Sequence, residues 1–469
     1  MSTPVRISGT TPARTRPPGR RAASLALTAI VTTQLMLLVD ATVVNVALPY
    51  VAGDLHFSAT GRSWVINLYA LAFGGLLLLG SRIGDRIGRR RALVTGVLAF
   101  TAASLLGGFA PSAGWLLAAR AAQGAAAALA APSTLALIAT TFREGSERAR
   151  ALSVFSSISG AGASIGLLLG GALTEWTSWR WVMFVNVPVG LLIAWLAPRY
   201  VAETPRQDGA FDIGGALSGT LGMMSLVYGF IRVAEQDWGD GLGLTAFGLA
   251  VLLLGTFVLV ELRARQPLVA LRLFASRDRA LAYAAMLLVP AGMFGVFYFT
   301  TLYLQLGLHF SPLRAGAAFL PMTLPLFAAA RLAPRLQGRY GPKRVALAGL
   351  ALNLAGVVWL SRLSEGAGYT SALLGPLVLM GVGMGLTVMQ LNTLILAGVL
   401  PGEAGSASGL LQTMQQVGGG LGVAVLVTVS AGRAFTDSVA AAYAGAAVFA
   451  GLALVVMCAV RGGGVRRGA

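Results

Sequence analysis

One carboxylate stands in the middle of an apolar stretch that is long enough to cross a bilayer. Asp40 lies in the segment MLLVDATVVNVALP, within an apolar run from Ala22 to Val51. An ionised carboxylate at that depth is costly unless it is paired, hydrated or protonated. This constraint favours a group that carries a proton, and the alternative is a structural aspartate bonded to neighbouring threonines or backbone.

Few other residues are arranged for chemistry. The chain has two histidines, His56 and His309, and one cysteine, Cys458, and it contains no cluster of His, Cys, Asp and Glu at metal-ligand spacing. Its 61 glycines are dispersed, and none belongs to a phosphate-binding loop followed by Lys and Ser or Thr. We therefore predict that the protein is not an enzyme and uses no metal or other cofactor.

The composition of the chain places that carboxylate inside a membrane protein. Hydrophobic residues make up 56% of the 469 residues and charged residues only 11%, which is more apolar than a globular core requires. About 20 helical residues cross a hydrocarbon core, and runs of that length predict an all-α integral membrane protein with fourteen transmembrane helices. The predicted spans are 24–49, 63–81, 92–110, 113–139, 150–174, 180–199, 213–231, 241–261, 280–304, 316–337, 343–361, 371–396, 404–431 and 439–460.

The positions of the positively charged residues predict the orientation of the chain in the membrane. A net charge of +18 is typical of nucleic-acid binding in a soluble protein, but here most Lys and Arg residues fall in alternate connections. The positive-inside rule then places both termini in the cytoplasm and removes nucleic acid as a partner. Residues 1–21 are predicted to form a disordered basic arm, and residues 462–469 a cytoplasmic tail.

Two arginine-rich connections are copies of each other. Residues 81–93 read SRIGDRIGRRRAL and residues 334–347 read PRLQGRYGPKRVAL. In this alignment Gly88 faces Gly341, whereas Asp85 faces Gly338, so the same turn is predicted with different electrostatics. The chain divides into a six-helix bundle at 22–200, an inserted helix pair at 201–265 and a second six-helix bundle at 266–461. Parallel repeats of this kind are typical of transporters, whose substrate site lies between the repeats.

Several motifs in the first half carry a family resemblance. They are VDATVVNVALP with Asp40, Thr42, Asn45 and Pro49; SRIGDRIGRRR with Asp85, Arg86, Gly88 and Arg89; RAAQGAAAA with Arg120, Gln123 and Gly124; GASIGLLLGGAL in the fifth span; and WRWVMFVNVPVG in the sixth. Together they resemble the major facilitator superfamily, and within it the fourteen-helix branch of drug:proton antiporters. Two positions depart from the pattern, because Ser81 replaces the usual glycine and Leu167 replaces the commonest proline.

The resemblance implies roles for the charged residues. It places Arg120 in the fourth helix, in the same half as Asp40, where it would pair with Asp40 or bond to carbonyls of the first helix. Arg120 would thereby be either a coupling element or a static brace. The resemblance also implies that Asp85 accepts hydrogen bonds from the start of the eleventh helix, near Lys343, and so forms a conformational latch with Arg86, Gly88 and Arg89.

Glycines and polar residues complete the predicted sites. Gly162, Gly166 and Gly170 recur every four residues and, with Gly171, form a hinge or a packing face on the fifth helix. Polar and aromatic residues within the spans are the candidates for a substrate cavity. They are Gln34, Met36, Asn45, Gln123, Phe297, Tyr298, Gln390, Asn392, Gln412 and Gln416.

The function predicted from these features is proton-coupled efflux of amphipathic small molecules, such as drugs or antibiotics, by alternating access. The partners are then a small-molecule substrate, protons and the lipid bilayer, and the protein is expected to work as a monomer in the bacterial cytoplasmic membrane. Proton-coupled uptake of a small solute and a transporter-like membrane sensor remain alternatives. Uptake of a polar solute would need more buried charge than this chain has, and no predicted connection is long enough for a signalling domain.

Overall fold

The described part of the chain is mostly helical. The structure, a computed structural model, describes residues 20–58, 61–142, 145–206, 212–264, 268–269, 271–397, 399 and 404–461, and no strand occurs among them. Thirteen segments in these ranges are long and apolar enough to cross a membrane. The predicted all-α membrane fold is therefore confirmed.

The helices follow one another in two groups separated by an inserted pair. The first group is α1 (Arg20–Asp54), α2 (Trp64–Ile87), α3 (Arg89–Gly108), α4 (Ala113–Thr141), α5 (Ser146–Trp176), α6 (Trp181–Phe184) and α7 (Asn186–Tyr200). The inserted pair is α8 (Ile213–Glu235) and α9 (Gly241–Arg263). The second group is α10 (Arg277–Leu302), α11 (Pro312–Ala317), α12 (Leu320–Tyr340), α13 (Pro342–Leu360), α14 (Tyr369–Ala372), α15 (Leu374–Leu396), α16 (Ala404–Ser430) and α17 (Phe435–Cys458).

These bounds differ from the predicted spans in specific places. Helix α5 is not among the thirteen apolar segments, so the count of fourteen stays a prediction with α5 as the missing member. The sixth, tenth and twelfth spans are each broken into a short and a long helix, and α10 continues into a π-helical turn at Tyr303–Gly307. Residues 20 and 21, predicted to lie in the basic arm, begin α1, whereas residues 1–19 and 462–469 lie outside the described residues.

Each group packs mainly within itself, and the inserted pair lies at the seam. Helix α1 packs against α5 and α7, and α2 against α4; in the second group α10 packs against α16 and α17, and α15 against α12 and α13. Helix α8 contacts both α2 and α16, which belong to different groups and also touch each other. Only 17% of the apolar stretch of α9 is buried, so this helix presents its surface to lipid.

The arginine-rich repeat has the predicted backbone in both copies. Gly88 ends α2 with φ 105° and Gly341 ends α12 with φ 79°. Both angles lie in the left-handed region that favours glycine. We call the side of the molecule that carries these two turns the arginine-rich face, and the other side the opposite face.

The two groups meet at the opposite face through α5 and α11. The backbone amide of Leu313 donates to Oε2 of Glu175 at 2.9 Å, and Gln305 Nε2 donates to the carbonyl oxygen of Val46 at 2.8 Å. Gly171 lies against the backbone of Pro312 and Leu313, so that a side chain there would collide with it. These contacts close the opposite face.

A methyl group at Gly171 tests this closure. In a Cys458→Ser background with a reporter cysteine at Thr323, Gly171→Ala is expected to raise the rate at which an impermeant maleimide, added at the opposite face, labels the reporter. The physical reason is that the added Cβ would lie about 2.6 Å from backbone atoms of α11, which pushes α5 and α11 apart. Gly255→Ala is the matched control, because nothing lies within 4 Å of a Cβ there. Equal labelling of both variants would show that this contact does not close the face.

Candidate functional site

Asp40 is completely buried and its carboxylate is fully occupied. Its Oδ2 accepts a hydrogen bond from Arg120 Nη1 at 2.7 Å, and its Oδ1 accepts from Gln123 Nε2 at 3.0 Å and from Asn186 Nδ2 at 2.8 Å. The side-chain exposure is 0% for Asp40 and 1% for Arg120. Three donors thus replace the water that an ionised carboxylate loses on burial.

Arg120 is held from several sides. Its Nε donates to the carbonyl oxygen of Val65 at 3.0 Å, and its Nη1 also donates to Oε1 of Gln123 at 2.8 Å. The guanidinium carbon lies 4.4 Å from the centre of the Tyr69 ring, a cation–π contact. Direct pairing with Asp40 is therefore the arrangement in this structure, and the carbonyl that Arg120 also binds belongs to α2.

Four helices of the first group bring this network together. Asp40 comes from α1, Arg120 and Gln123 from α4, and Asn186 from the first residue of α7, while Ser104 of α3 accepts from Gln123 Nε2 at 2.8 Å. The break between α6 and α7 has a local cause, because Pro188 has no N–H to donate to the carbonyl of residue 184. The helix restarts at Asn186 and directs its amide to Asp40.

Two adjoining cavities of about 370 and 220 Å³ lie beside the network. They share Leu38, Ala41, Tyr69 and Gln416, and the larger one extends toward the arginine-rich face as far as Leu396 and Ser408. Arg120 and Tyr69 line the smaller one. Asp40 itself has no exposed surface, so the carboxylate lies behind these two side chains.

The structure divides the predicted cavity residues into two sets. The six that line the cavities are Gln34, Asn45, Phe297, Asn392, Gln412 and Gln416. The four that are buried and do not line these two cavities are Met36, Gln123, Tyr298 and Gln390. Gln123 is the informative case, because its amide is taken up by Asp40 and Ser104 instead of facing the cavity.

The glycines of α5 face two different neighbours. Side chains at Gly162, Gly166 and Gly170 would collide with α1, at Leu38, Thr42 and Val43 in turn. Gly171 faces α11 of the other group. Close packing is thus present at all four positions, and the contact of Gly171 is the one that changes if the groups separate.

The residues of the predicted latch lie at the arginine-rich face. Asp85 Oδ1 pairs with Arg89 Nη2 at 2.6 Å, and Arg89 also donates to the hydroxyl of Ser81 at 3.3 Å, so the unusual serine has a partner. Arg86 lies in the last turn of α2.

Glu203 holds the start of α3 beside this turn. Its carboxylate accepts from the backbone amides of Arg90 and Arg91 at 2.9 and 3.2 Å. The carboxylate also lies so close to Gly88 that a side chain at Gly88 would collide with it. The segment after α7 therefore fixes the position of the arginine-rich turn.

The sequence reasoning did not single out several residues that matter here. Asn186 and Ser104 complete the Asp40 network, and the signal for Asn186 is an amide two residues before a proline in an apolar span. Glu261 is a second buried carboxylate, with 3% exposure, near the end of α9. Its Oε2 accepts a hydrogen bond from the backbone amide of Val269 at 3.0 Å. Because Glu261 is so close to the end of its helix, the sequence does not indicate that its side chain is buried.

Solved structures resemble this chain over most of its length. An auto-inhibited peptide transporter of the POT family matches with a TM-score of 0.66 over 94% of this chain and 96% of that one, at 16% identity. The human organic anion transporter MFSD10 (TETRAN) matches with a TM-score of 0.58 over 94% and 100%, at 17% identity. At these identities the likeness shows the fold alone.

Sequence comparison identifies the family. The puromycin resistance protein pur8 of Streptomyces alboniger is 45% identical over 87% of this chain and 81% of its own length. The cephamycin export protein CmcT of Amycolatopsis lactamdurans is 39% identical over 87% and 85%. The family model described as the Major Facilitator Superfamily matches residues 30–423. By this match, and by its transporter fold, the chain belongs to the Major Facilitator Superfamily of membrane transporters.

Proposed function

We propose that the protein exports amphipathic small molecules, antibiotics among them, in exchange for protons. The observation that carries the proposal is the burial of Asp40 directly behind the wall of a cavity between the two groups of helices. The printed functions of the relatives, puromycin resistance and cephamycin export, support outward transport.

Proton binding at Asp40 would change the charge balance of the whole network. When Asp40 is ionised, its negative charge balances the positive charge of Arg120, whose Nη1 lies 2.7 Å from Oδ2 of Asp40. A proton on Asp40 removes this attraction and leaves the guanidinium uncompensated at the cavity wall, where burial of an unpaired charge is costly. Arg120 is then stabilised by moving toward water or other acceptors. Because Arg120 lies on α4 and Asp40 on α1, loss of their contact lets α4 move relative to α1, and this movement couples proton binding to the shape of the cavity.

Alternating access would use the two faces in turn. In this structure the contact of α5 with α11 closes the opposite face, and the cavity extends toward the arginine-rich face. When the groups rock, the arginine-rich face closes, and Asp85 is placed to accept from the start of α13. The N-cap of α13 is Gly341, which has no side chain to cap the helix, whereas Glu203 already occupies the start of α3. Among the described residues no side chain caps the start of α13, and this suits a latch that forms in only one state.

The cellular setting follows from the charge distribution. The arginine-rich face would lie in the cytoplasm with both termini, in the cytoplasmic membrane of a bacterium, and a monomer contains every group that the mechanism uses. Residues 22–200 and 266–461 would be the two rocking bundles, and the pair within 201–265 would stay at their seam. Neither chemical catalysis nor a cofactor has a part in this cycle.

Asp40→Asn separates proton coupling from binding. In proteoliposomes that enclose a pH-sensitive dye, the wild type is expected to show proton flux with at least one member of a panel of cationic, anionic and neutral amphipathic antibiotics, and Asp40→Asn is expected to show none with any of them. The amide keeps the size of the side chain but carries no titratable proton. Asp437→Asn is the matched control, because Asp437 is exposed at the start of α17. Substrate-driven flux that persists in Asp40→Asn would contradict the proposal.

Arg120→Met distinguishes a charge partner from a static brace. Removing one member of a buried ion pair costs roughly 3–5 kcal/mol, because the other charge is left unpaired. We expect thermal unfolding in lipid nanodiscs to show that loss for Arg120→Met and a partial recovery for Asp40→Asn/Arg120→Met. If the double variant is no more stable than the single one, Arg120 braces the helices without balancing the charge of Asp40.

A further inference from the structure

The wall of the two cavities is electrically neutral. Among the lining residues that the structure describes, Arg120 carries the one charged group, and no aspartate or glutamate reaches the surface of the cavities. The charge of Arg120 is already matched by Asp40. A bound molecule would therefore meet no net charge.

The two cavities differ in how many polar side chains line them. The larger cavity, toward the arginine-rich face, carries Gln34, Asn392, Gln412 and Gln415 among apolar side chains. The smaller cavity, deeper between the groups, is lined mostly by apolar side chains, Phe294 and Phe297 among them, with Asn45 and the shared Gln416 as its amides. An amide side chain offers both donors and acceptors without charge, and Oδ1 of Asn392 has no partner among the described residues.

A cationic ligand gains no counterion in this arrangement. Asp40 bonds directly to Arg120 of the wall, but both of its oxygens already accept hydrogen bonds, from Arg120, Gln123 and Asn186. A cationic head could reach Asp40 only by displacing the guanidinium, and elsewhere on the wall it would be desolvated without a partner. An anionic head is disfavoured for the corresponding reason, because it would have to compete with Asp40 for the guanidinium of Arg120.

We propose that the cavity in this conformation selects uncharged amphipaths, with an aromatic body against the Phe294 and Phe297 layer and a hydroxyl- or amide-rich head among the glutamines. This rests on the proposed export function and narrows its substrate class. The head exchanges its hydrogen bonds with water for hydrogen bonds with the amides, and the body is buried against aromatic and thioether groups. Charge on either end is selected against.

Three probes with one aromatic body test the selection. A naphthyl glucoside, a naphthyl trimethylammonium and a naphthyl carboxylate, joined by linkers of equal length, are titrated against the full-length protein in nanodiscs at pH 7, with empty nanodiscs subtracted. The glucoside is expected to bind at least tenfold more tightly than either charged probe. No binding of the glucoside, or equal or tighter binding of a charged probe, overturns the inference.

A negative charge introduced into the cavity wall provides a second test of the inference. Gln416 lines both cavities, and Gln416→Glu is expected to tighten binding of the trimethylammonium probe at least tenfold relative to the glucoside. Gln337→Glu, near the end of α12 on the arginine-rich face, is the matched control and is expected to leave the ratio unchanged. Equal ratios in the two variants would overturn the inference, because the probes would then not occupy this cavity.

Proton flux distinguishes failure of this inference from failure of the proposed function. If the glucoside binds selectively but drives no proton flux in proteoliposomes, the substrate class stands for binding and the antiport proposal fails. If the trimethylammonium probe binds more tightly and drives flux, antiport stands and the selection for uncharged molecules is wrong.

Discussion

A carboxylate and a guanidinium that share a dry interior constrain most of this structure. Neither Asp40 nor Arg120 can be buried alone, since the loss of hydration costs more than packing returns. The fold meets this cost by bringing donors from α4 and α7 to one carboxylate, with a serine of α3 behind them. The break before Asn186 lets its side-chain amide reach Asp40 at hydrogen-bonding distance.

The two groups of helices share a backbone plan but not this charge. Gly124 of α4 packs against the backbone of α2, and Gly385 of α15 packs against the backbone of α12 in the same way. In the second group the contact continues at Gly381, which lies against Met322 with no ion pair between the helices. The first group therefore holds the buried ion pair, whereas the second contributes aromatic and methionine side chains to the smaller cavity and amide side chains to the larger one.

The sequence was informative where a residue type conflicts with its surroundings. Asp40 and Arg120 are rare charges in apolar spans, so the cost of burying them identified both. The left-handed turns at Gly88 and Gly341 were predictable from the internal repeat. Amides gave a weaker signal, because Gln and Asn serve equally well in packing, in a cavity or on a carboxylate; Gln123 was accordingly placed in the cavity, and Asn186 was not singled out. The broken helices and the π-helical turn depend on tertiary packing and on single prolines, which hydropathy does not register.

Placing Asp40 behind Arg120 and Tyr69 has an evolutionary consequence. The side chains that touch a bound molecule and the side chains that hold the carboxylate are largely different residues, from different layers of the protein. Under the proposed function, substitutions at Phe294, Phe297 or the glutamines would therefore alter which compounds are recognised and leave the hydrogen bonds of Asp40 intact. Under the proposed antiport, single substitutions on the cavity wall would change the range of exported compounds without altering the groups that bind the proton.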